Sequence, residues 1–177
     1  VKHVGRPLLI NEIEIANDAE PDWAERHWLT LEHNYSRAPF WEKFCGFFEQ
    51  TYSQKWTMLI DLNMHLVKGL MQFLGISKPL IVASSLAVSG KGSELVLAQC
   101  KALGASVHLS GVGGRNYLNL QRFEEEGIKV IFQDFQHPVY PQLHGAFVPN
   151  LSVVDYLFCT GGKPWRTVDR ESKEHGT

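Results

Sequence analysis

Cysteine is scarce in this sequence, and what there is lies scattered. Cys45, Cys100 and Cys159 are odd in number, widely separated and set among apolar neighbours. No CxxC and no Cys/His pair stands at zinc-ligand spacing, which argues against a disulfide framework and a structural zinc site. Buried free thiols are the expectation, with no metal ligand set. Neither sign of charge is in excess: Lys and Arg number 17, Asp and Glu 19, for a net −2. That leaves no basic face for nucleic acid. Long apolar runs are also missing, since Lys, Asp or Asn breaks each one short of the roughly 20 residues of a membrane span. No charged start leads into an apolar core and a small-residue cleavage site, so the expected localisation is cytoplasmic. What remains, 44% hydrophobic and 20% charged over 177 residues, suits a folded chain with one core.

Patterned segments fill the first half. "LLINEIEI" reads as a strand with Ile13 and Ile15 on one face, its partner lying later in the chain or in sequence upstream. "NDAEPDWAERHWLTLEHNY" puts Ala24, Trp28, Leu31 and Tyr35 on one side of a helix, with Pro21 and Asp22 at its start. "FWEKFCGFFEQTY" carries an aromatic stripe, Phe40, Phe44, Phe47 and Phe48, better suited to core packing than to a ligand slot. A third helix runs from about Thr57 to Leu74 and stops at Gly75. Asn63 sits on its apolar side, as a structural hydrogen-bonder or facing a polar cavity, the former being favoured.

From Lys78 the rhythm changes. "PLIVASSL", "SVHLS" and "KVIFQDF" read as strands, alternating with the helices "SELVLAQCKALGA" and "LNLQRFEEEGI". The expected fold is α/β: a Rossmann-like parallel sheet with flanking helices and an aromatic helical N-terminal part. One domain is expected over 1–164, with a strand and helices in 1–77 and a βαβ part plus the buried terminal helix "LSVVDYLFCTGG" in 78–164. Residues 165–177 are too polar to fold and form a loose tail.

Two glycine fingerprints come close and fail. Gly111 and Gly113 fit GxGxxG, but Asn116 takes the third place. Gly90 and Lys91 resemble half a P-loop, but Gly92 follows the lysine and Ser85 stands where the first glycine belongs. The remaining argument is geometric: parallel strands deliver their outgoing turns to one rim, where ligands of open α/β sheets bind. Those turns offer Ser84, Ser85, Ser89 and Lys91; then Ser110, Gly111, Gly114, Arg115 and Asn116; then Asp134, His137, Tyr140 and His144. Glycine backbone N–H groups, the helix start near Ser93 and a cation would suit phosphate. The candidate anion- or cofactor-binding set is therefore Ser85, Lys91, Ser110, Gly111, Gly114, Arg115 and Asn116. His137, Tyr140 and Asp155 form the candidate catalytic set, His137 as proton acceptor. Asp155 interrupts an apolar helix, so Arg115, a histidine or backbone N–H groups should lie near it; the cheaper reading is a capping box with Ser152.

The blocks "LEHNYSRAPFW", "LNMHLVKGLMQFLGI", "SSLAVSGKGSELVLAQCKALGA", "HLSGVGGRNYL", "QHPVYPQ" and "FVPNLSVVDYLF" are collinear from about Ile10 to Gly162. Together they resemble the WbqC-like proteins of bacteria. The resemblance implies an association with O-antigen and other surface-polysaccharide synthesis. It carries over Ser110, Gly111, Gly114, Tyr117, His137, Tyr140, Gln142, Ser152 and Asp155, and names no cofactor. It also implies a preceding segment, rich in aromatics and prolines, that would supply a strand and part of the site. The favoured reading is group transfer onto a nucleotide-activated amino sugar, a small-molecule substrate. An ATP-dependent activating enzyme of the nucleotidyl-transfer type is the second. The third is a non-catalytic module docking through exposed Phe40, Trp41, Phe44 and Trp56.

Overall fold

The computed structural model describes residues 1–2, 5, 8–18 and 20–162, so the expected loose tail at 165–177 lies outside the described residues. The elements in chain order are α1 (Trp23–Tyr35), α2 (Trp41–Ser53), α3 (Leu59–Phe73), α4 (Gly92–Ala102), β1 (Val107–Ser110), α5 (Leu120–Glu125), β2 (Lys129–Phe132) and α6 (Val153–Thr160). Contacts group them into two compact units. One is Val1–Ser77 with the chain from His137 onward; the other is Lys78–Gln136.

The larger unit is helical, and its core is aromatic. Asp22 starts α1 by accepting from the Ala24 N–H at 2.8 Å, the usual use of Asp at a helix start. Phe44 and Phe48 of α2 are buried, and so are Leu157 and Phe158 of α6. The Phe158 ring has those of Tyr35, Trp41, Phe44 and Phe48 with centroids 5.0–6.3 Å away, within the range of favourable aromatic pairs. The aromatic stripe is thus core. Trp41 and Phe44 are buried, Phe40 and Trp56 half-buried, and Trp56 Nε1 donates to the Thr51 carbonyl at 2.8 Å. The exposed docking patch expected of these four side chains does not exist, because the helices need them for their own packing.

α3 stops as its glycine foretells. Gly75 takes φ +67°, and the Ile76 N–H reaches back to the Met71 carbonyl at 2.8 Å. The strand expected over "LLINEIEI" is not formed. Ile10–Glu12 is a 3-10 turn, and beyond it only Glu14 bridges Met58, antiparallel. The reason is the partner: α3 begins at Leu59, so the opposing backbone coils away after one pair. Ile15 is still buried, as its alternation required.

In the smaller unit β1 and β2 pair in parallel, Val107 opposite Lys129 and Ser110 opposite Phe132. Leu97, Cys100, Leu118, Phe123 and Ile128 are its buried core. The expected first strand, "PLIVASSL", is another correction. Leu80, Ile81 and Val82 are exposed, and the chain closes a 3-10 turn at Ala83–Ser85. Both the Ser85 N–H and its hydroxyl donate to the Val82 carbonyl, at 2.9 and 2.7 Å. A β-rich composition favours a strand only where a neighbour can complete the ladder. The fold is mixed α and β with a two-stranded parallel sheet among the described residues, in place of the full Rossmann-like sheet.

Gly69 marks the closest helix contact. A Cβ there would sit 2.2 Å from Cζ of Phe47, whose ring is stacked on His65 and wedged against Phe48 and Phe73. Gly69→Ala is expected to destabilise the protein by about 1–3 kcal/mol despite alanine's higher helix propensity. Urea denaturation followed by circular dichroism measures it; a gain in stability would show that Phe47 can yield.

Candidate functional site

In the smaller unit, three segments meet at the carboxyl end of the parallel pair. Gly111 begins a 3-10 turn over Val112–Asn116. Its first internal bond runs from the Gly114 N–H to the Gly111 carbonyl at 3.0 Å, so the N–H groups of Val112 and Gly113 precede it, as at any helical start. Arg115 then lies over the ring of Phe132, the last residue of β2, with its guanidinium carbon 4.2 Å from the centroid. The Ser93 hydroxyl accepts from the Asn119 N–H at 2.9 Å, which ties the start of α4 to the same end. Arg115 and Asn116 are exposed, as is Lys91 just ahead of α4. Arg115 has no ion-pair partner among the described residues.

Other members of the expected anion set have structural duties. Ser110 is buried and donates to the Gly111 carbonyl at 3.0 Å. A Cβ on Gly114 would lie 2.0 Å from the Ser110 Oγ, so this glycine lets the turn close against the strand. Ser85 is committed to its own turn. Gly90, at φ +141°, approaches the first turn of α4, where a Cβ would stand 3.1 Å from the Leu95 nitrogen. The start of α4 is therefore partly covered by its own loop, unlike a P-loop.

The larger unit holds the candidate catalytic set. Asp155 is buried in α6, and its Oδ2 accepts from the Tyr140 hydroxyl at 2.8 Å and from Gln142 Nε2 at 3.2 Å. These replace the arginine, histidine or backbone donors expected for it. Ser152 does cap α6, accepting from the Val154 N–H at 3.3 Å, but the Asp155 carboxylate is spent on the loop. Gln142 also closes that loop on itself: Oε1 accepts from the Val148 N–H at 2.8 Å and Nε2 donates to the Val148 carbonyl at 2.9 Å.

Burial first, then the hydrogen bond to Asp155, pushes the Tyr140 hydroxyl well above the usual tyrosine range. Burial and the Asp155 charge do the same for Tyr35 and push the Cys159 thiol up to about 11. None of the three serves as a base at neutral pH. His137 stands beside Tyr140 and Phe147, with ring centroids at 6.1 and 6.0 Å. Its Nδ1 is 2.9 Å from the Pro138 carbonyl; a carbonyl only accepts, so Nδ1 carries the proton and the lone pair of the neutral ring is on Nε2. His144 donates to the Asn34 carbonyl at 3.3 Å, and Asp134 accepts from Gln136 at 3.2 Å in the other unit. In the sequence, Gln142 stands out only through the family resemblance. Its residue-level signal was the alternation Tyr140-x-Gln142, which turns both side chains the same way in extended chain. Among the described residues no cluster of His, Cys, Asp and Glu could hold a metal ion, and no helix is long and apolar enough to cross a membrane.

A family model described as "WbqC-like protein family" matches residues 1–167. The chain is similar to a Mycobacterium tuberculosis (strain ATCC 25618 / H37Rv) protein named "Uncharacterized protein Rv1507c", 31% identical over 144 residues. The match covers 80% of this chain and 62% of the relative, so the chain spans about three fifths of that protein's length. No solved structure matches.

Two outcomes follow from the Asp155 cluster. Gln142→Glu replaces a double donor with a second carboxylate and should cost about 2–4 kcal/mol at pH 7. Urea titrations at pH 7 and pH 5 should show part of that recovered on acidification, as one carboxylate takes a proton; equal losses at both would refute the pairing. Separately, the folded-state thiol of Cys159 keeps its proton above the ordinary value of 9.0. Its contribution is therefore complete below pH 9 and is lost as pH rises toward 11. Melting temperatures should fall across that window, and less steeply in Cys159→Ala.

Proposed function

The chain belongs to the WbqC-like protein family, and from that premise we propose that it serves bacterial surface-polysaccharide synthesis, moving a group onto a nucleotide-activated amino sugar. The observation that carries this reading is the rim of the smaller unit. Arg115 over Phe132, the leading N–H groups of the Val112–Asn116 turn and exposed Lys91 are the groups that a diphosphate requires. Backbone donors give such an anion its position, and the guanidinium supplies a forked, charge-assisted partner. The carboxyl end of parallel strands is where ligands of α/β sheets bind.

In the larger unit, taken by itself, His137 is the residue proposed to accept a proton. The support is chemical: its Nδ1–H is held by the Pro138 carbonyl, which orients the basic Nε2, while the neighbouring Tyr140 hydroxyl is too weak an acid to exchange the role. Tyr140 and Asp155 then act as positioning residues, holding the loop that bears His137.

Isothermal titration with a uridine diphosphate amino sugar tests the binding half. Arg115→Ala should weaken binding by tenfold or more, from a charge-assisted bond worth about 1.5–3 kcal/mol. Absence of binding by every sugar nucleotide tried would end the reading.

A further inference from the structure

A second feature of the larger unit has no part in that reading. Between α1, α2 and α3 lies a cleft of about 500 Å³, walled by Trp23, His27, Tyr52, Leu62, Asn63 and Leu66 among others. That is within the range of small-molecule sites, about 300–1,000 Å³. The rings of Trp23, His27 and Tyr52 stand nearly perpendicular to one another, with centroids 5.5, 5.6 and 6.2 Å apart. Trp23 is anchored by its edge: Nε1 donates to Asn17 Oδ1 at 3.4 Å, and Asn17 is held by the Trp56 carbonyl at 2.8 Å.

Two polar groups in this apolar setting are unspent. The Asn63 amide and the Tyr52 hydroxyl have no hydrogen-bond partner among the described residues, and both side chains are half-buried. The amide is not sealed off, since no side-chain polar atom among the described residues is buried without a partner. It presents a donor and an acceptor side by side, the arrangement by which asparagine pairs with the edge of a nucleobase. No Lys, Arg, Asp or Glu side chain lines the cleft, whose wall also includes Val1, Ile15 and Leu59, so its side-chain surface is chiefly apolar and aromatic. A flat ring gains stacking on such a wall, about 1–3 kcal/mol per base.

We propose that this cleft binds a nitrogen heteroaromatic ring of the nucleobase class, stacked against the cluster of Trp23, His27 and Tyr52 and read at its edge by Asn63. The inference stands independently of the anion rim. Titration of the whole chain with adenosine, guanosine, cytidine and uridine, followed by calorimetry, tests it with probes that carry no phosphate. At least one nucleoside should bind, tenfold or more weakly in Asn63→Leu and about threefold more weakly in Tyr52→Phe. Arg115→Ala should leave nucleoside binding unchanged, which separates this result from that of the sugar-nucleotide titration. The melting temperature of Asn63→Leu should match or exceed that of the parent; should that variant fail to fold, Tyr52→Phe decides. The proposal is overturned if no nucleoside binds at millimolar concentration, if binding survives both substitutions, or if toluene binds as tightly as the best nucleoside.

Discussion

A carboxylate withdrawn from water inside an apolar helix is the constraint around which the larger unit is organised. α6 is buried continuously from Asp155 to Thr160, and an unpartnered charge there would cost several kcal/mol. The cost is met by a loop that begins fifteen residues upstream in sequence. Tyr140 and Gln142 can reach one carboxylate oxygen only if the loop lies across α6, and the two bonds from Gln142 to Val148 lock its return. The acid, the loop and the helix are therefore a cooperative set. Removing any donor leaves Asp155 buried with less to bond, and removing Asp155 leaves the loop without its anchor.

The same dependence explains what the sequence could disclose. Helices were legible because their signals are local: Asp22 at a cap, Gly75 and Gly104 at left-handed ends, apolar residues at helical spacing. Strands were not, because a strand is a relation between two segments. "SVHLS" and "KVIFQDF" form β1 and β2 because each finds the other. "PLIVASSL" has equal β propensity and remains an exposed stretch ending in a turn. Ile13 and Ile15 alternate correctly, but the backbone opposite enters α3 after one pair.

The candidate site was readable to the same degree. That Asp155 required a partner followed from its apolar neighbours; that the partners were Tyr140 and Gln142 required the loop's path. The glycines of "SGVGGR" suggest an anion cradle, and one of them is a packing residue. Gly114 is small because Ser110 Oγ occupies the space a side chain would need. The polar choice at Asn63 was flagged by its position among leucines, but the rings beside it come from α1 and α2, and no spacing rule links Trp23 and Tyr52 to α3.

The ionisable groups around Asp155 differ in what each proton can do. Tyr140 donates to Asp155, and the charge it faces raises the energy of its own ionisation; neither member of that pair can give up its role without breaking the loop's attachment. Cys159, pushed up by burial and by the same carboxylate, is protonated over the whole neutral range and is no nucleophile there. His137 differs in kind. Its Nδ1 bonds a backbone carbonyl, an acceptor whose state does not change with pH, whereas Tyr140 faces a carboxylate. The buried pair holds the loop that carries His137, which is why proton transfer is proposed for the histidine and positioning for the pair.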